Sequence, residues 1–122
     1  MAKIYILLFL VSLAFTVSSQ EESEACIDPS KKTMKLIKAA IEAKDARSAV
    51  DNFNAAIAMD DGNATVYYEY GMYAYATGLE ARKKYPNPAI ANKSFLKAEK
   101  MFSTALDLCS DFHGNCTYYL GV

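Results

Sequence analysis

The stretch NATVYYEYGMYAYATGLEARKK, Asn63–Lys84, decides how the rest of the chain is read. Asn63 can cap a helix, and Arg82-Lys83-Lys84 can close it where cations suit the negative end of the helix dipole. One stripe at helical spacing holds Tyr67, Tyr70, Gly71, Ala74, Gly78 and Ala81; a second holds Tyr68, Met72, Tyr75 and Leu79. Apolar or amphipathic side chains therefore cover most of the circumference. A helix of that kind needs neighbours on more than one side.

Those neighbours are legible on either side. Asp45 can cap a helix over Ala46–Met59, with Ala49, Val50, Phe53, Ala56 and Ile57 on one face, and Asp60-Asp61-Gly62-Asn63 is a turn cluster. Further upstream, Asp28-Pro29 reads as an N-cap and first-turn proline for a helix running to about Lys44. Ile37, Ala40, Ile41 and Lys44 share one of its faces, while Lys31, Lys32, Lys35 and Lys38 mark a solvated one. Downstream, Asn87 and Pro88 are cap and first position of a helix to about Cys109, which carries Ala91, Phe95, Ala98, Phe102 and Ala105 on one face. No segment shows a convincing strand period. The expected fold is all-α: four antiparallel helices forming two helical hairpins, with a closed four-helix bundle as the alternative.

The chain opens with Lys3 followed by the apolar run Ile4–Val17, then Ser18-Ser19 and the polar Gln20–Glu24. Charged start, apolar stretch and small-residue cleavage site are the order of a secretory signal. At ~1.5 Å per residue the run spans about 21 Å, short of the ~30 Å hydrocarbon core. Residues 1–19 are thus expected to be a cleaved signal, 20–27 a flexible acidic arm and 28–122 a single helical domain, secreted and without a stable membrane anchor. The 122-residue chain has 13 basic and 14 acidic residues, and losing Lys3 makes it more acidic still. That balance offers no electrostatic case for nucleic acid.

Three cysteines in an oxidising compartment leave one odd. Cys109 and Cys116 are close, with Gly114 to turn the chain between them; alternatively Cys26 pairs with either. The odd thiol is then free or links two chains as a homodimer. Counting the helices as alternately down and up puts Cys26 and Cys109 at one end. A bridge between them is easy in a closed bundle, and in an open arrangement needs the N-terminal segment to reach across. The sequons Asn63-Ala-Thr, Asn92-Lys-Ser and Asn115-Cys-Thr are glycosylation candidates. Asn63 is expected to lead because its turn should be exposed, and Asn115 to trail because a disulfide at Cys116 would compete for that loop.

Ala49-x3-Phe53-x2-Ala56-Ile57 recurs as Ala98-x3-Phe102-x2-Ala105-Leu106, a small–aromatic–small spacing that lets two helices approach around one ring. With Tyr67, Tyr70, Gly71 and Gly78 placed between the two copies, this resembles the tetratricopeptide repeat over roughly residues 30–108. The second glycine and the following small residue, Gly78 and Ala98, stand further apart than in that family. The extra chain implies about two more turns on each of the last two helices. Ile37 and Lys44 replace the glycines of the first unit, and Asp61 the closing proline. The resemblance implies that the first helix of each hairpin lines a peptide-binding face. A second likeness, on Ala105-Leu106-Asp107-Leu108-Cys109, is to secreted helical inhibitors of plant pectin methylesterase and invertase; their paired N-terminal cysteines are missing.

No catalytic, metal or cofactor constellation emerges. His113, the one histidine, lies in a Cys- and Gly-containing loop without zinc spacing, and the Asp60–Asn63 cluster lacks the alternating oxygens of a calcium loop. The tyrosines are the most distinctive feature. Tyr67 and Tyr70 are expected in the core, whereas Tyr68, Tyr73 and Tyr75 are expected to meet an unknown peptide or protein; the repeat resemblance implies that the exposed side of Ala64–Lys84, with Lys35 and Lys38 of the first helix, is the peptide-facing surface. The anticipated function is a secreted, non-enzymatic binding protein working through the third helix. The alternatives are an inhibitor of an extracellular enzyme, or a carrier enclosing an apolar ligand among Tyr70, Met72, Phe95, Met101 and Phe102.

Overall fold

The structure, a computed structural model, describes residues 26–112; residues 1–25, which hold the expected signal and most of the expected acidic arm, and residues 113–122, with His113, Asn115 and Cys116, lie outside them. Four helices follow one another: α1 Lys31–Glu42, α2 Ala46–Met59, α3 Ala64–Lys84 and α4 Pro88–Leu108. Among the described residues there is no strand, and no helix is long and apolar enough to cross a membrane.

Each helix starts on a side chain that satisfies one of its free amides. The Asp45 carboxylate accepts from the Ser48 N–H at 2.8 Å, and the Asn87 side chain accepts from Ala89 N–H at 3.0 Å. The first helix differs from expectation. Its cap is Ser30 rather than Asp28, with the Ser30 hydroxyl accepting from Thr33 N–H at 3.2 Å, and α1 ends at Glu42 rather than near Lys44. Ser30 stands three residues before Thr33 and holds both its amide and, at 3.0 Å, its hydroxyl. Asp28 and Pro29 stay in the lead-in.

The helices pair as two hairpins. α1 packs along α2, and α3 packs along α4 in the most extensive contact of the molecule; α3 also touches α1 and α2. α1 and α4 make no comparable contact, so the closed bundle, in which they would be neighbours, is not formed. The second hairpin is also the longer one: α3 and α4 have 21 residues each, α1 and α2 only 12 and 14.

Two clusters hold the hairpins. Ile37 and Ala40 of α1, Phe53 and Ala56 of α2, Val66 and Tyr70 of α3 and Met101 of α4 form the first, which joins all four helices. Ala64 and Ala74 pack with Ala98, Phe102, Ala105 and Cys109 in the second, between α3 and α4. Two glycines of α3 face aromatic rings of α4 at close range. A Cβ on Gly71 would stand 2.7 Å from the Phe102 ring, and one on Gly78 would stand 2.6 Å from the Phe95 ring. Alanine gains about 1 kcal/mol of helix propensity over glycine, but overpacking costs ~1–3 kcal/mol. Phe102 is fully buried and cannot yield, whereas half-buried Phe95 can swing outward. Thermal melts should therefore find Gly71→Ala destabilised by about 1 kcal/mol or more and Gly78→Ala near neutral. Equal melting temperatures would mean that the Phe102 ring is not wedged.

The disulfide joins Cys26 to Cys109, with Cα atoms 5.3 Å apart, in place of the Cys109–Cys116 pairing. Both cysteines lie at the end of the molecule where α3 begins. The short segment before α1 crosses over that end, so the bridge forms although α1 and α4 are not packed together. Asn63 records the crossing: its amide nitrogen donates to the Ile27 carbonyl at 2.8 Å while its oxygen accepts from Thr65 N–H at 2.9 Å.

Candidate functional site

The residues expected to bind a partner do not converge. Tyr68 turns towards α4 and the residues after it, with its ring 6.0 Å from Phe102 and 5.4 Å from Phe112. Tyr75 likewise faces Phe95 at 5.7 Å, and the Arg82 guanidinium lies 5.9 Å from the same ring. Both tyrosines are half-buried intramolecular packing. The reason is the length of the second hairpin: α4 runs beside α3 throughout, so the Tyr68–Tyr75 stripe has a partner in the same chain.

Lys35 and Lys38 do line a groove. It has a volume of about 830 Å³ and lies between α1 and the first turns of α3, with exposed Met34 and Ile41 among its apolar atoms. Its charges cancel. Lys31, Lys35 and Lys38 are matched by Asp28, Glu42 and Glu69 along the same walls.

Tyr73 belongs to a second groove, of about 490 Å³, between α2 and α4 with α3 as its floor. Ala46 and Val50 supply one wall. Tyr70, Tyr73, Ala74 and Thr77 form the base, and Lys93, Ser94, Leu96, Lys97 and Lys100 the other wall. Phe53 fixes the base from beneath: its ring stacks on Tyr70 with centroids 4.6 Å apart and tilts against Tyr73 at 5.4 Å. Lys97 Nζ stands 4.9 Å from the Tyr70 ring centroid, a cation–π contact that leans this lysine over the floor. Leu96 is 66% exposed, the most open of the large apolar side chains among the described residues.

The α4 wall escaped the sequence reading, which followed the buried Ala–Phe–Ala face of that helix and ignored the opposite one. The signal was present: a leucine set among lysines at helical spacing is an apolar side chain on a solvated face.

Burial raises the hydroxyl pKa of Tyr70 above its ordinary value. It does the same at Tyr67, with a further rise from the nearby Asp61 carboxylate, and the Tyr67 hydroxyl donates to the Asp61 carbonyl at 2.8 Å. Both phenols therefore stay protonated at neutral pH. Among the described residues no group of three His, Cys, Asp or Glu side chains could hold a metal ion. The side chains named for a carrier fill one another's space: Tyr70, Met101 and Phe102 are core, Met72 packs against the α3–α4 cluster, and Phe95 covers Gly78.

Asn63 is not the exposed residue that its place in a turn predicts. It is 3% exposed, and the nitrogen that would carry a glycan is the one bonded to Ile27. Asp61 and Gly62 of the turn are exposed, but Asn63 itself is covered because the disulfide holds the N-terminal segment across it. Asn92 is exposed in the first turns of α4. In protein secreted from eukaryotic cells, peptide mass mapping after enzymatic glycan release should mark Asn92 and leave Asn63 unmodified. A glycan on Asn63 of the folded protein would show that the Ile27 crossing is not made.

Compared with protein-family models, curated proteins and solved structures, the chain matches none.

Proposed function

We propose that this chain is a secreted, non-enzymatic binding module of two tetratricopeptide-like hairpins that takes a peptide or protein segment into the groove floored by the third helix. The observation that carries the reading is Leu96, two-thirds exposed beside a groove floored by half-buried Tyr73, with buried Tyr70 and Phe53 stacked behind it. An apolar side chain left in water next to preorganised aromatic surface is what a docking site needs: apolar area to bury and little ordering cost. The signal-like N-terminus and the sequons support the extracellular setting. The small–aromatic–small spacing around Gly71 supports the repeat likeness. The role of the third helix in this reading is to present Tyr73, backed by the buried Tyr70, while Tyr68 and Tyr75 hold the second hairpin together.

The test is selection of binding peptides from a random displayed library, followed by NMR shift mapping on the labelled protein. Shifts should cluster on residues 70–77 and 93–100, and Leu96→Asp should abolish them without lowering the melting temperature. Peptides that shift only α1, or bind Leu96→Asp unchanged, would reject this site.

A further inference from the structure

The two grooves have the same cationic stripe but opposite electrostatic outcomes. In α1 the order is Lys31, Met34, Lys35, Lys38; in α4 it is Lys93, Leu96, Lys97, Lys100, with the same spacing from first to last. In the α1 groove three carboxylates face three lysines. The α4 groove is lined by three lysines and no acidic side chain. None of Lys93, Lys97 and Lys100 has a carboxylate within 4 Å among the described residues. A net-acidic chain thus sets three lysines without a facing carboxylate around the most exposed leucine of the described residues.

From this we infer that the α2–α3–α4 groove recognises an acidic amphipathic peptide segment, in which apolar side chains cover Leu96 and carboxylates meet Lys93, Lys97 and Lys100. The inference rests on the groove being the binding site and adds the chemistry of its partner. The three ammonium groups belong to residues spread over about 10 Å of helix, on the order of one screening length at physiological salt, so their fields add along the groove. A segment with apolar residues at helical spacing and carboxylates flanking them is complementary on both counts. Charge decides against the α1 groove, because an acidic segment there would meet Asp28, Glu42 and Glu69 as well as the lysines.

The experiment uses the full secreted chain and two fluorescein-labelled peptides read by anisotropy. One is an amphipathic sequence of leucine and glutamate; the other replaces every glutamate by glutamine. The acidic peptide should bind, weaken as salt is raised, and lose about tenfold or more in affinity with Lys93→Glu/Lys97→Glu/Lys100→Glu. The corresponding triple change at Lys31, Lys35 and Lys38 should alter affinity by less than about twofold. The six lysines sit on helix surfaces, and circular dichroism checks that each variant is folded. Should the α4 triple change disturb the fold, the Lys→Gln version replaces it. If the glutamine peptide binds as tightly as the glutamate one, the groove remains a docking site and the acidic partner is wrong. If neither binds, both readings fail. A dimer seen by light scattering that the α4 triple variant abolishes would assign the groove to a second copy and overturn the peptide inference.

Discussion

Reducing the Cys26–Cys109 bond should lower the melting temperature by about 20 °C, as should Cys26→Ser or Cys109→Ser. The bond spans 83 residues of sequence. Cross-linking a loop of that length removes conformational entropy from the unfolded chain worth roughly 4 kcal/mol, against a total stability of ~5–15 kcal/mol for a domain of this size. Here the loop encloses all four helices, so almost every unfolded conformation is restricted. A second loss is local. Without the bond the segment before α1 is free to lift, and Asn63 gives up its hydrogen bond to the Ile27 carbonyl at the start of α3. Cys116→Ser is the control: it should leave the melting temperature unchanged and convert any covalent dimer to monomer on non-reducing gels, since Cys116 is the cysteine outside this pair. If Cys26→Ser melts like the parent, the crossing contributes nothing and the hairpins stand alone.

Phe53→Ala should cost about 3–5 kcal/mol, the range for truncating a fully buried aromatic ring. Phe53 is completely inside the cluster that joins all four helices, so its removal opens a cavity between the hairpins that neither can close alone. The same ring stacks on Tyr70 and touches Tyr73. Its loss therefore reaches the groove: the floor loses its backing and the tyrosines are free to sink. Phe53→Leu keeps most of the volume and should be milder in both respects. Denaturant unfolding gives the stability, and anisotropy with the acidic peptide gives the consequence for the site. A change in stability below about 1 kcal/mol for Phe53→Ala would mean that the hairpins are held elsewhere.

Much of the architecture was readable residue by residue. The caps Asp45, Asn63 and Asn87, the proline at position 88 and the Ala–Phe–Ala faces predict three helices whose starts match the structure. These signals are local: a cap and a stripe need only the neighbouring turn to act. The first helix was misplaced at its start because Asp28 and Ser30 are both competent caps, and the choice turned on the Ser30–Thr33 pair rather than on residue preference. The binding residues were read less well. Tyr68 and Tyr75 have the composition of an interface, and they do form one, but with α4 of their own chain.

Sequence alone determined the helix count, the turns, the glycine positions and the unequal lengths of the hairpins, since each depends on spacing along the chain. Tertiary structure decided which cysteines bond, that Asn63 is covered, which tyrosines are spent on internal packing, and which of two identical lysine stripes keeps its charge. All four depend on what the rest of the chain brings alongside. Burial and electrostatic balance are sums over neighbours in space, and a stripe read in isolation carries no record of the carboxylates, or their absence, on the wall it will face.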